Sequence, residues 1–330
     1  MALFNPADKR SVHFMGIGGA GMSALALIAL RRGVAVSGCD VDPSGAADLA
    51  SLGVPIRQGH EPSHLTGARA VVVTAAVPEG HPELEHARQL GLPIIPRKVA
   101  LAELIAGARS IAVSGTHGKT TTTVMTTEAL TAAGLNPTGI AGGRVSAWGG
   151  NARVAGDQLF VVEADEFDKA FLTLYPEIAV VNNVEPDHLE CYGSMTALED
   201  AFVEFAGRAR VAIVSADDPG ARRIGARLKT SVCGFGVDSG ADIRISDIAQ
   251  RADATEACIR WRSGRSLTIK LQVPGLHNLR NAVAALAVVD TLGGSLKPAA
   301  EALGEFRGVG RRFERLGEFG GVAVVDDYAH

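Results

Sequence analysis

Short apolar runs alternate with helix-like segments through the first third of the chain. The apolar runs lie at 11–17, 34–38, 70–74 and 93–95, and the helical patterns lie at 22–32, 82–90 and 98–106. Repeated β-α alternation predicts a parallel sheet with helices on both faces. We therefore expect an α/β fold that begins with a Rossmann-like domain over residues 1–107, with the break at Gly107.

A second α/β domain is expected over residues 108–314. Its apolar runs lie at 111–113, 159–162, 178–184 and 211–215, with helices at 124–133 and 277–292. Short alternating runs over 231–271 predict a small antiparallel patch. The strand predicted at 322–325 ends in acidic residues with no helix after it. Residues 315–330 are therefore expected to be a linker and the first strand of a truncated C-terminal domain.

Composition narrows the function classes. The 330 residues are 47% hydrophobic and 21% charged, as in an ordinary globular protein. A net charge of −4 argues against general nucleic-acid binding. The four cysteines are scattered, which fits a reducing cytoplasm rather than a zinc motif or a disulfide framework. No signal peptide or membrane-spanning run is apparent, so no membrane association is expected.

The segment after the predicted strand at 111–113 has the pattern of a phosphate-binding loop. A glycine-bearing turn between a strand and a helix directs backbone N–H groups at an anion. Val113 stands where the usual motif has its first glycine, so the loop is a shortened one. Lys119 is expected to reach the β- and γ-phosphates of ATP, and Thr120 to contact Mg²⁺. The nucleotide-binding candidates are Gly115, Thr116, His117, Gly118, Lys119, Thr120 and Thr121.

A second glycine-rich turn, Gly16-x-Gly18-x-x-Gly21, follows the first predicted strand. Asp40 lies 19 positions beyond Gly21 (40 − 21), near the spacing of an acidic group that binds a ribose hydroxyl. Turns with this glycine pattern bind NAD or another molecule with a diphosphate, such as a UDP-sugar. Two diphosphate loops in one chain favour an enzyme that uses ATP on a nucleotide-linked substrate over a dehydrogenase.

Acidic and histidine side chains follow the strands of the second domain. Glu163 is the best Mg²⁺ ligand candidate because it comes first after its strand. Glu166 is expected to lie in a solvated acidic loop, and Asp168 is equally suited to either environment. His188 is a candidate metal ligand or acid–base group, although a lone loop histidine is more often neither.

Two further pairs have both a structural and a functional interpretation. Asn278 and Asn281 flank a helix start, where they cap the helix or recognise a purine edge by their amides. Arg311 and Arg312 are surface charges, or one of them stabilises a transferring phosphate.

In combination these motifs resemble the Mur ligase family over essentially the whole chain. The matching segments are 13–22, 115–123, 163–166, 186–188, 277–282, 308–313 and 326–330. The run Gly-Ile-Gly-Gly-Ala-Gly-Met is most similar to the members that add L-alanine to UDP-N-acetylmuramate. Those that add a murein tripeptide usually differ there.

The resemblance implies a role for each matched residue. The UDP-sugar is expected at Gly18, Gly19, Ala20, Gly21 and Met22, with Asp40, Thr74 and Ala75 nearby. The metal positions are Thr120, Glu163 and His188, the adenine side is Asn278 and Asn281, and the catalytic set is Lys119, Arg312 and His188. Asp327 adds to the nucleotide site from the C-terminal domain, where His330 also lies.

The implied reaction is ligation of L-alanine to the lactyl carboxylate of UDP-N-acetylmuramate through an acyl phosphate, with ATP and Mg²⁺. Because the C-terminal domain is expected to be truncated, little or no turnover is expected. Three alternatives stay open: an NAD(P)-dependent oxidoreductase, a non-catalytic nucleotide-binding module, and a murein tripeptide ligase within the family.

Overall fold

The computed structural model of the protein describes residues 3–252, 254–310, 314–320 and 322–326. The predicted site residues Arg312 and Asp327 lie outside the described residues, as do Arg311 and His330. The chain forms two compact units. The first comprises Met1–Gly107 with Ile140–Val154, and the second comprises Ala108–Gly139 with Ala155–His330.

The first unit contains a five-stranded parallel sheet in the order β3-β2-β1-β4-β5. Its strands are β1 (Ser11–Met15), β2 (Val36–Asp40), β3 (Ile56–Gln58), β4 (Ala68–Val73) and β5 (Ile94–Pro96). Its helices are α1 (Ala20–Arg31), α2 (Ala47–Ser51), α3 (Pro82–Gln89) and α4 (Arg97–Ile105). The predicted parallel α/β sheet is confirmed.

The second unit is built on a longer mixed sheet. The strands that follow along the chain are β6 (Arg109–Ser114), β7 (Thr138–Val145), β8 (Gly150–Arg153), β9 (Leu159–Glu163), β10 (Ile178–Val181), β11 (Val211–Ser215), β12 (Ser231–Gly236), β13 (Ile243–Gln250), β14 (Thr255–Trp261) and β15 (Ser266–Leu271). The helices are α5 (Lys119–Ala132), α6 (Leu189–Tyr192), α7 (Met195–Gly207), α8 (Pro219–Arg227), α9 (Leu276–Thr291) and α10 (Leu296–Gly304).

The strand order explains where the site residues of the second unit collect. β6 lies between β10 and β9 and is parallel to both, and β11 and β12 continue the parallel part. Residues 111–114 and 178–181 are entirely buried, because helices cover both faces of a parallel sheet. The carboxyl ends of β6, β9 and β10 therefore lie at one edge, where ligands bind in open α/β sheets. The predicted antiparallel patch is present as β13-β14-β15. Its expected start at residue 231 was wrong, because β12 pairs in parallel with β11 and β13.

Two features differ from the sequence-based expectation. Ile140–Val154, with β8 and most of β7, is grouped with the first unit, and Asn151 Nδ2 donates to Ser23 Oγ of α1 at 2.9 Å. The strand predicted at 322–325 has a partner: β16 (Glu314–Phe319) pairs antiparallel with β17 (Val322–Asp326). Among the described residues, no helix is both long and apolar enough to cross a membrane.

Candidate active site

The phosphate-binding loop of the second unit runs from the end of β6 to the start of α5. Gly115 has φ +130° and Gly118 has φ +81°, which side-chain-bearing residues rarely adopt. A Cβ at Gly115 would lie 3.0 Å from the Asn183 carbonyl oxygen, and one at Gly118 would lie 3.0 Å from Asn281 Oδ1. Both positions therefore need glycine, and the loop holds its backbone close to its neighbours. α5 begins at Lys119, five residues before the predicted start (124 − 119).

Two asparagines after β10 hold this loop, and sequence reasoning missed both. Asn183 Oδ1 accepts a hydrogen bond from His117 N at 2.7 Å, and its Nδ2 donates to His117 O at 3.1 Å. Asn182 Nδ2 donates to Thr122 Oγ1 at 3.0 Å. The signal that points to them is their place directly after a buried strand parallel to β6.

Lys119 is held at the mouth of the loop by a buried carboxylate. Its Nζ donates to Gly115 O at 2.8 Å and to both Glu166 oxygens at 2.9 Å. Glu166 is 1% exposed, so the expectation of a solvated loop was wrong for this residue. A buried carboxylate needs a charged or hydrogen-bonding partner, and Lys119 provides it. The lysine ammonium is thereby fixed where a phosphate oxygen can compete for it.

A candidate metal centre lies beside this ion pair. One ligand atom each of Glu166, Asp187 and His188 lie within 4.8 Å of one another. His188 has φ +51°, and its ring lies 5.1 Å from the ring of Phe167. Carboxylate oxygens with one imidazole suit a hard divalent cation such as Mg²⁺ or Mn²⁺.

The other two predicted metal ligands, Glu163 and Thr120, lie at the end of β9 and at the start of α5. Glu163 is the last residue of β9, opposite Val113 of β6. Thr120 is 5% exposed in the first turn of α5. The structure thus places the predicted ligands on the same sheet edge and adds Glu166 and Asp187 to them.

Tyr192 closes this region from α6. Its hydroxyl donates to the main-chain oxygen of Glu166 at 2.5 Å. Burial and the charge of Glu166 raise the pKa of the Tyr192 phenol, so it stays protonated and keeps donating over the physiological range.

The two asparagines of α9 differ in position. Asn281 is 8% exposed and lies against Gly118 of the phosphate loop. Asn278 Nδ2 donates to Pro274 O at 2.8 Å. Gly275 is the N-cap of α9, so the capping interpretation of both asparagines was wrong. The purine-edge interpretation stays a prediction.

The glycine-rich loop of the first unit joins β1 to α1. Asp40 Oδ2 accepts from Gly18 N at 2.7 Å, and Asp40 Oδ1 accepts from Asp42 N at 3.0 Å. Asp40 therefore shapes the loop directly. Gly19 caps α1 without a side-chain hydrogen bond among the described residues, which leaves main-chain N–H groups of the first turn for an anion.

Side chains from β4 and α4 reach the same loop. A Cβ at Gly16 would lie 2.8 Å from Thr74 Cγ2, and one at Gly21 would lie 2.7 Å from Arg97 Nη1. Arg97 places a cation at the predicted diphosphate site, and sequence reasoning missed this residue. The only signal for it is its position at the start of a helix after β5. Ala75 is exposed just after β4. Met22 is 2% exposed, so its side chain belongs to the core and only its backbone can serve a ligand.

Comparisons with known proteins identify the family to which a chain with these two loops belongs. Residues 11–109 match the model of the Mur ligase family catalytic domain, and residues 113–289 match that of the Mur ligase middle domain. The chain belongs to the Mur ligase family.

The chain is similar to relatives named UDP-N-acetylmuramate–L-alanine ligase. It is 46% identical to one from Clavibacter michiganensis over 98% of this chain and 68% of the relative. It is 43% identical to one from Burkholderia ambifaria over 97% of this chain and 71% of the relative.

Solved structures agree. A UDP-N-acetylmuramate–alanine ligase of Thermotoga maritima superposes with a TM-score of 0.87 at 34% identity, covering 97% of this chain and 74% of that one. A murein peptide ligase of Psychrobacter arcticus gives 0.84 at 28% identity, covering 97% and 73%.

Proposed function

We propose that this chain acts in the ATP-dependent ligation of L-alanine to the lactyl carboxylate of UDP-N-acetylmuramate, a step of cell-wall precursor synthesis. The observation that carries the proposal is the pairing of two anion-binding loops in one chain. One loop holds Lys119 at the start of α5, and the other leads into α1, whose N-cap is Gly19, beside Arg97. The relatives named for this reaction support the same substrates.

The reaction proceeds in two balanced steps. A lactyl carboxylate oxygen attacks the γ-phosphorus of ATP, ADP leaves, and an acyl phosphate forms. The amine of L-alanine then attacks the acyl carbon, phosphate leaves, and loss of one proton gives the amide. Phosphoryl transfer depends mainly on positioning and charge neutralisation.

The residues of the second unit fit the first step. Lys119 provides a fixed cation at the loop, and the start of α5 provides backbone donors. Glu166, Asp187 and His188, with the predicted ligands Glu163 and Thr120, would hold Mg²⁺, which neutralises phosphate charge when bound. Arg312 is proposed as a second cation for the transferring phosphate, and Asn278 and Asn281 as the adenine side.

The residues of the first unit fit the UDP-sugar. Gly18 to Gly21 offer backbone donors to its diphosphate, with Arg97 as the counter-charge. Asp40 shapes the loop through Gly18 N rather than standing free for a ribose. Thr74 and Ala75 form the wall after β4. The four free cysteines support a cytoplasmic location.

Calorimetric titration separates this proposal from an oxidoreductase. We expect UDP-N-acetylmuramate and Mg²⁺-ATP to bind and NAD(P)H not to bind. Binding of NAD(P)H without binding of the UDP-sugar would overturn the proposal.

A second measurement separates the two activities within the family. Because little turnover is expected, the formation of ADP is followed at high protein concentration with UDP-N-acetylmuramate and either L-alanine or the tripeptide L-alanyl-γ-D-glutamyl-meso-diaminopimelate as acceptor, and the two slow rates are compared. ADP release that depends on alanine supports the proposal, and release that depends only on the tripeptide contradicts it.

A further inference from the structure

A buried cluster in the first unit takes no part in the proposed reaction. His13 of β1, Cys39 of β2 and Glu83 of α3 are 1%, 0% and 0% exposed. These residues come from three separate elements, and all three are types that bind transition metals. One ligand atom of each lies within 4.8 Å of the others.

The distances within the cluster are those of neighbouring ligands around one ion. His13 Nε2 lies 3.2 Å from Glu83 Oε1 and 3.3 Å from Cys39 Sγ. Cys39 Sγ lies 3.4 Å from both Glu83 oxygens. Zinc bonds of about 2.0 Å to nitrogen or oxygen and 2.3 Å to sulfur place tetrahedral ligands about 3.3–3.6 Å apart.

His60 completes the set on the side nearest the solvent. Its Nδ1 lies 3.1 Å from Cys39 Sγ and 3.6 Å from Glu83 Oε2. Its side chain is 14% exposed, whereas that of Glu83 is fully buried. His60 therefore lies on the solvent side of the cluster, next to two of its three members, and we take it as the fourth ligand.

The charges also suit a divalent cation. A buried carboxylate needs compensation in the protein interior, and a cysteine gives up its proton when it binds a metal. One thiolate, one carboxylate and neutral imidazoles together cancel a charge of two. A bound Zn²⁺ would therefore leave this interior site neutral.

The surroundings of His13 orient it as a ligand. Its Nδ1 lies 3.0 Å from Ser37 Oγ, which in turn lies 2.9 Å from Ser11 Oγ. Metal-binding histidines almost always use their second ring nitrogen in this way, which fixes the ring. Nε2 then faces Cys39 and Glu83.

We propose that His13, Cys39, Glu83 and His60 bind a zinc-class divalent cation that holds the start of the glycine-rich loop in place. The link to the loop is short, because the main-chain oxygen of Cys39 accepts from Gly16 N at 2.8 Å and Ile17 N at 3.1 Å. The site is separate from the Mg²⁺ centre proposed in the second unit.

Cobalt titration of the chelator-treated protein tests the site. We expect about one Co²⁺ per chain to produce the thiolate-to-cobalt charge-transfer band of cysteine ligation, whatever Co²⁺ binds at the other centre, and we expect Zn²⁺ to displace it. Cys39→Ser is expected to remove the band and weaken binding by at least ~10-fold. Cys191→Ser is the matched control, because Cys191 lies in α6 near the other candidate centre, and it is expected to keep the band.

A second variant and a second measurement keep the test independent of folding. His60→Gln alters the most exposed member and is expected to weaken Co²⁺ binding while circular dichroism stays unchanged. Zinc is also measured in wild-type protein purified from zinc-supplemented cells. No charge-transfer band in the wild type, or the same band in Cys39→Ser, overturns the proposal and leaves a proton-bridged network in its place.

Discussion

Lys119 donates to four oxygens of its own chain, and two of them belong to the buried Glu166. This arrangement has two consequences at the level of single residues. The ammonium is already in position before a nucleotide arrives, so little ordering is needed on binding. The buried carboxylate also depends on Lys119 for its compensation, so the residue proposed to bind the nucleotide is also expected to contribute to stability.

Lys119→Met is expected to abolish detectable Mg²⁺-ATP binding and to lower the free energy of unfolding. Breaking a buried ion pair leaves an uncompensated charge, which costs about 2–3 kcal/mol here because the lysine is partly exposed. Urea unfolding and calorimetry measure the two effects. Lys229→Met is the control, since Lys229 is exposed on the same unit.

The double variant Lys119→Met/Glu166→Gln separates the two effects. Neutralising Glu166 removes the uncompensated charge, so most of the lost stability is expected to return while ATP binding stays absent. Because Glu166 is also a candidate Mg²⁺ ligand, ATP binding is compared with that of Glu166→Gln alone, which is expected to keep more of it. If ATP binding returns with stability, Lys119 acts only through folding and the proposed role in phosphate binding is wrong.

At the level of elements, the two ends of α5 offer a matched pair of glycines. Gly118 precedes the helix and Gly134 follows it, and both have φ +81°. A Cβ at Gly118 would meet Asn281 Oδ1 at 3.0 Å, whereas nothing lies within 4 Å of one at Gly134. The pair therefore distinguishes backbone strain from a contact specific to the loop.

Gly118→Ala and Gly134→Ala are expected to share a loss of about 1 kcal/mol from left-handed strain. Gly118→Ala alone is expected to weaken Mg²⁺-ATP binding, by at least ~10-fold, because its Cβ displaces the loop from Asn281. Thermal unfolding and calorimetry provide the two readouts. Equal ATP affinities in the two variants would show that the loop tolerates the added atom.

A cluster of charged residues links three neighbouring strands of the same sheet at their amino ends, opposite the candidate active site. Glu177 accepts from Arg109 Nε at 2.6 Å and from Arg210 Nη2 at 3.0 Å. The hydrogen bond from Arg109 is the main cause that lowers the pKa of Glu177; burial opposes it and Arg210 adds to it. A lowered folded-state pKa contributes stability above the unfolded pKa and loses it as the pH falls through the folded one.

Glu177→Gln is accordingly expected to reduce stability at pH 7 by about 1 kcal/mol, since the arginines are half exposed. The difference from wild type is expected to shrink as the pH falls below the ordinary pKa of glutamate, because the carboxyl of the unfolded chain protonates there before that of the folded one. Urea unfolding across this pH range measures it. Glu301→Gln, on the exposed side of α10, is the control, and a difference that grows toward acid contradicts the assignment.

Sequence predicted the elements better than the contacts between them. Alternating apolar runs and helical patterns were enough for the parallel sheet, and glycine spacing was enough for both loops, because these signals are local. Glu166, Asn183 and Arg97 were missed or misjudged because their roles depend on neighbours far along the chain. Glu166 is buried only because Lys119, 47 residues earlier, pairs with it.

At the level of the whole molecule, the chain does not finish one unit before it starts the next. It leaves the first unit after Gly107 and returns to it for Ile140–Val154. The returning segment is fastened by Asn151, whose amide bonds Ser23 of α1. No linear pattern marks this return, so residues 1–107 alone omit part of the unit that holds the glycine-rich loop.

Each unit has its own proposed anion-binding loop, so the two ligands are expected to respond to separate substitutions. Asp40→Ala removes the acceptor of Gly18 N and is expected to weaken UDP-N-acetylmuramate binding by about 10-fold, the value of a charged hydrogen bond, with ATP affinity unchanged. Gly118→Ala is expected to show the reverse pattern. Calorimetry with both ligands on both variants measures four affinities. If either variant weakens both ligands equally, the loops do not bind different ligands, and the assignment of one ligand to each unit is wrong.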